Sequence, residues 1–146
     1  MPTIDADAHV IECEQTWSYI ESEKIRPYLI SPGAGRPQNW LVDGRVFHRG
    51  VNLDKGLPLD ICEMRDIKGR LKHMDELEID VQVLYPSLFL RPLTVKAEVE
   101  NAICRSYNQW VIDACKKSEG RLEWIAQVPV IDIPSAVAEI EFARAN

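Results

Sequence analysis

Thr3-Ile4-Asp5-Ala6-Asp7-Ala8-His9-Val10-Ile11-Glu12 is the stretch on which the reading of this chain turns. As a strand it places Asp5, Asp7 and His9 on one face and Ile4, Ala6, Ala8 and Val10 on the other, because side chains alternate with a period of two. Three ionisable groups on one face are costly to bury unless a positive ion or hydrogen bonds satisfy them. A divalent metal is the simplest solution. Asp and His two positions apart can converge on one ion at a strand end, and oxygen with imidazole nitrogen suits zinc, manganese or iron. The same residues also read as turn or cap carboxylates with a hydrogen-bonded histidine, so the D-x-D-x-H pattern alone leaves both readings open.

Beyond this strand the chain is irregular. A short helical segment is expected around Trp17, Ile20 and Ile25, and 31–37 reads as loop. Trp40 to Phe47 carries a hairpin signal, since Asp43-Gly44 supplies the positive φ angles of a tight turn. His48 follows as a surface histidine, and Gly50 to Asp60 reads as coil. Positions 10–65 therefore form a long insertion with a hairpin. A lid or dimer contact on the end of the strands where barrel loops carry function is its expected role.

Regular structure resumes at Asp66 and continues through 66–146. Ile67, Leu71, Met74 and Leu77 lie on one helix face, with His73 off that stripe. Val81 to Tyr85 reads as a buried strand ended by Pro86. The loop after it, Ser87 to Leu93, presents Phe89 and Arg91 as candidate substrate-binding residues. From Lys96 to Lys117 a second helix carries Val99, Ala102, Ile103, Tyr107, Trp110, Val111 and Ala114 on one stripe. Arg121 to Val128 is expected as a third strand, and Asp132, Pro134 and Ser135 signal the start of a last helix. Strands alternating with helices imply an α/β fold with parallel strands and right-handed crossovers. An open doubly wound sheet and part of a (β/α)8 barrel both fit. No G-x-G-x-x-G follows a strand, and polar ligands at the end of the first strand favour the barrel.

At 146 residues with a net charge of -6, the chain is long enough for one domain and has no basic stripe for binding nucleic acid. No apolar run approaches the roughly 20 residues that span a bilayer, and the first residues lack the pattern of a secretory signal. A cytoplasmic location is the expectation. Cys13, Cys62, Cys104 and Cys115 form no C-x-x-C pair and read as reduced core thiols.

Ile4 to Glu12 resembles the opening metal motif of the amidohydrolase-related family, the branch of the amidohydrolase superfamily that includes aminocarboxymuconate semialdehyde decarboxylase. Met74 to Ser87 is similar to that family's second strand and the helix before it. Tyr107-Asn108-Gln109-Trp110, Gly120-Arg121-Leu122 and Val128 to Glu139 are similar to the segments around its third strand, and the order is collinear. The resemblance implies a metal-dependent barrel enzyme that hydrolyses or decarboxylates a small, often aromatic, organic acid. It places Asp7 and His9 as two ligands of a divalent metal, zinc first, with manganese or iron as alternatives, and Asp5 as a supporting residue beneath them. Where Asp7 stands the family often has His.

The departures carry their own expectations. The family's barrels use further ligands, a histidine after the middle strands and an aspartate near the last, and a whole barrel takes about 250 residues. This chain covers about three of eight βα units, so it is expected to be inactive alone, to bind metal weakly and to self-associate as a homo-oligomer. The alternative is a non-catalytic partial barrel serving as a binding or assembly module. The other partner is a small-molecule organic acid, with neither nucleic acid nor membrane expected.

Overall fold

A computed structural model describes residues 1–31, 33, 38–50 and 56–146. Along the chain the elements are β1 (Ile4–Val10), β2 (Tyr28–Ile30), β3 (Asn39–Val42), β4 (Arg45–His48), α1 (Leu59–Cys62), α2 (Ile67–Glu76), β5 (Val81–Pro86), α3 (Ala97–Cys115), β6 (Leu122–Trp124) and α4 (Ile133–Arg144), with 3-10 turns at Glu14–Trp17 and Leu88–Leu90. Two three-stranded sheets result. β1, β5 and β6 are parallel with β5 central, and β2, β3 and β4 are antiparallel. The chain is thus mixed α/β, with helices between successive parallel strands, as the alternation of periodicities implies.

The helix-facing side of the parallel sheet forms one core. Ala8, Val10, Leu84 and Leu122 pack with Met74 of α2 and Tyr107, Trp110, Val111 and Ala114 of α3. The Asp66 side chain caps α2 by accepting the Gly69 N–H at 2.8 Å, and Asp132 caps α4 by accepting the Ser135 N–H at 3.0 Å. A second core joins the segment between β1 and α2 to the end of β5. Trp17, Trp40, Val42 and Phe47 meet Leu88 and Leu93 from the loop after β5, and Val99 and Ile103 from α3. The hairpin turn is tied to the same loop, since Thr94 Oγ1 donates to Asp43 Oδ2 at 2.7 Å and Lys96 pairs with Asp43. Asp43 and Gly44 take φ of +48° and +74°, the left-handed pair of a tight hairpin turn.

Several details differ from the sequence reading. The helix expected around Trp17 is a single 3-10 turn, and Tyr28–Ile30 becomes a strand on the hairpin. The expected third strand shrinks to Leu122–Trp124 because the Asn108 side chain takes over beyond it. It accepts the Gln127 N–H and donates to the Gln127 carbonyl, both at 2.8 Å, replacing a ladder with a side-chain clamp. Most of the loop read at 31–37, and residues 51–55 of the coil read at Gly50 to Asp60, lie outside the described residues. α4 buries Glu139 while Ile133, Val137 and Ile140 remain exposed. Among the described residues no helix is long and apolar enough to cross a membrane.

Candidate functional site

β1 pairs Asp5 with Gln82 and then, three residues later, Ala8 with Leu84 only two residues on. One extra residue is therefore inserted in β1, a bulge of the kind that re-aims a side chain. This corrects the expected alternation. Asp5 sits across from Gln82, on the helix-facing side with Leu84, whereas His9 sits across from Tyr85 on the opposite side. The rings of His9 and Tyr85 are 6.2 Å apart between centroids. Asp7 follows His9 rather than Asp5, with its Oδ1 3.6 Å from His9 Nε2. The side chain of Asp7 is 85% exposed and that of His9 21%, so the pair opens outward from the C-terminal part of the strand.

Two ligands of a tetrahedral ion with bonds near 2.1 Å stand about 3.4 Å apart, close to the separation of this pair. The donor set, a carboxylate oxygen and an imidazole nitrogen, suits zinc, manganese or iron. His9 Nδ1 is buried without a hydrogen-bond partner, leaving Nε2 as the nitrogen turned toward Asp7. These two residues fit a divalent metal as half of a ligand set. Among the described residues no group of three His, Cys, Asp or Glu side chains could hold an ion. His48 is exposed and 2.9 Å from Asn39 Oδ1, and His73 is 3.7 Å from Glu76.

Phe89 and Arg91 line a cavity of about 290 Å³ together with Leu93, Ile103 and Val128. Asp7 and His9 line another depression, of about 250 Å³, and Asp5, Arg70, His73 and Gln82 line it with them. The structure thus places His9 near the C-terminal end of β1, Asp7 in the middle of that strand, and Phe89 and Arg91 beyond the end of β5, the first two and the last two in separate cavities. Phe89 is also a packing residue, its ring 5.3 Å from Tyr107 and 6.3 Å from Trp17. Arg91 is exposed.

Three buried polar residues escape the sequence reading. Glu12 is fully buried just past β1, and both its oxygens accept the Leu88 N–H, at 3.0 and 3.1 Å. Burial pushes its carboxyl up to about 7, against the opposing pull of the Leu88 N–H and the charge of Arg49. Arg70 and Gln82 are the other two, both buried and hydrogen-bonded to each other. The available signal was a charged or polar residue inside an apolar run: Glu12 between Ile11 and Cys13, Gln82 between two valines, and Arg70 on the helical stripe of Ile67 and Met74. The thiols of Cys104 and Cys115 are raised to about 12 by burial, which makes them unreactive packing groups.

No protein-family profile and no curated protein matches the sequence. Among solved structures the chain is similar to the crystal structure of an amidohydrolase from Mycobacterium avium subsp. paratuberculosis K-10, with a TM-score of 0.74 and 18% sequence identity over 99% of this chain. The match covers 46% of that protein, so this chain spans less than half of its length. At this identity the likeness is one of fold.

Proposed function

We propose that this chain forms the first three βα units of an amidohydrolase-type (β/α)8 barrel, with Asp7 and His9 as two ligands of a divalent cation, zinc by donor preference. The reaction assigned to the whole barrel is hydrolysis or decarboxylation of a small organic acid. One observation carries the reading: Asp7 Oδ1 and His9 Nε2 stand 3.6 Å apart on one side of β1, the spacing of two ligands on one ion. When bound, such an ion lowers the pKa of its water to about 7 or polarises a substrate oxygen. The chain's own contribution is to hold two ligands and to offer substrate an apolar wall and a cation in Phe89 and Arg91. The exposed Ile133, Val137 and Ile140 of α4 support further packing on that side, by more βα units or by self-association.

Calorimetric titration with zinc chloride tests the reading. One weak site is expected in the wild type, lost in Asp7→Ala and His9→Ala and kept in His48→Ala and His73→Ala. Binding unchanged by Asp7→Ala and His9→Ala would remove it.

A further inference from the structure

The β1 bulge is gripped by three buried or half-buried side chains. Arg70, 5% exposed, reaches up from α2; its Nη2 donates to the His9 carbonyl at 3.2 Å and its Nε to Gln82 Oε1 at 2.9 Å. Gln82, 8% exposed on β5, passes the interaction on, its Nε2 donating to Asp5 Oδ2 at 3.0 Å. Asp5 Oδ1 in turn accepts the Asp7 N–H at 3.2 Å. The relay therefore begins and ends on the backbone of the bulge, at the His9 carbonyl and the Asp7 amide. These are the backbones of the two proposed ligands.

We propose that Arg70, Gln82 and Asp5 are positioning residues: a clasp that holds the backbone of Asp7 and His9 so that their side chains stay aimed at one cation. This rests on the metal reading of that pair. Three features support it. Alternation already sets Asp7 beside His9; what the bulge changes is Asp5, which it turns toward Gln82, and an extra residue in a parallel ladder has no ladder partner of its own to fix it. Arg70 is a buried cation whose hydrogen bonds go to neutral acceptors, Gln82 Oε1, the His9 carbonyl and the Met64 sulfur 3.4 Å from Nη1. A core packing role alone is met more cheaply by an apolar residue, since a buried charge is costly unless its hydrogen bonds do something specific. Gln82 bridges the two, because its amide presents an acceptor to the guanidinium and a donor to the carboxylate at once. Groups that orient metal ligands from behind commonly set affinity by 10–100-fold.

The test uses the whole chain and zinc chloride, read by NMR of the histidine rings. Only His9, His48 and His73 contribute signals, so His9 is identified by its loss in His9→Ala. Gln82→Glu keeps the volume and the contact with Arg70 but turns the donor facing Asp5 into an acceptor, and Asp5→Ala removes the far end of the relay at a half-exposed site. Each is expected to weaken the zinc midpoint at His9 by 10–100-fold. The double variant Asp5→Asn with Gln82→Glu restores a donor and an acceptor in the opposite sense and is expected to recover most of the loss. That recovery is a response that mere loosening of the core would not give. Where Gln82→Glu fails to fold, Asp5→Ala decides. Wild-type zinc binding at His9 with an unchanged midpoint in a folded Asp5→Ala variant overturns the clasp. No zinc response of His9 in the wild type overturns the metal reading itself, and the inference with it.

Discussion

On the helix-facing side of the parallel sheet, Ala8, Val10, Leu84 and Leu122 are closed over by Met74, Tyr107, Trp110 and Val111; on the other side Val83, Tyr85 and His9 are only partly covered. Both faces belong to the same strands, so strand propensity is not what separates them. The difference is that each helix buries one apolar stripe and brings no partner for the opposite face. The covered face supplies the burial that stabilises the fold, at about 25 cal/mol per Å² of apolar surface. The open face carries the Asp7–His9 pair, where ionisable groups keep contact with solvent or a ligand. Stability and chemistry are divided between the two faces, and each can be perturbed alone.

The largest expected effect tests that division. Leu84→Ala, on the covered face, should lower the free energy of unfolding by about 3 kcal/mol, whereas Tyr85→Ala one residue on should cost about 1 kcal/mol or less. Urea unfolding followed by circular dichroism reads both, and equal losses would break the comparison.

Glu12 sharpens it, because it is a carboxyl on the closed end of β1. Its pKa in the folded chain, about 7, lies above the usual 4.5, so the folded state holds its proton where the unfolded chain has released it. Stability is then full below about pH 4.5, falls as pH rises through about 7, and is constant beyond, a loss of roughly 3 kcal/mol. In Glu12→Gln, whose amide oxygen can still accept the Leu88 N–H, this segment of the stability profile should flatten. A wild-type profile that already rises between pH 4.5 and 7 would contradict the assignment.

Smaller effects come from the open face. Zinc at ten times its dissociation constant should stabilise the wild type by about 1.4 kcal/mol, seen as a rise in Tm that His9→Ala abolishes. Smallest of all, Asp7→Ala without metal should change stability by no more than about 0.5 kcal/mol, since its side chain is 85% exposed. A larger loss would mean that Asp7 is a structural residue and that the open face also carries stability.

What the sequence determined by itself is whatever repeats locally. The stripe Ile67, Leu71, Met74 and the longer one from Val99 to Ala114 specify α2 and α3, the run Val81 to Tyr85 specifies β5, and Asp43-Gly44 specifies the hairpin turn. These signals survive because backbone periodicity and turn sterics act within a few residues. The nearness of Asp7 and His9 was legible for the same reason. The tertiary structure alone decided the rest. Strict alternation put Asp5 with Asp7 and His9, yet the β1–β5 register adds one residue and turns Asp5 to Gln82 and Arg70, 77 and 65 positions away along the chain. The third strand ended early because Asn108, from a different element, claimed the backbone of Gln127. Glu12 acquired its raised pKa from the loop at Leu88 that buries it. In each case the deciding partner is distant in sequence. A register shift or a buried hydrogen bond between distant residues leaves no period in the sequence, because its energy exists only once the two segments have met.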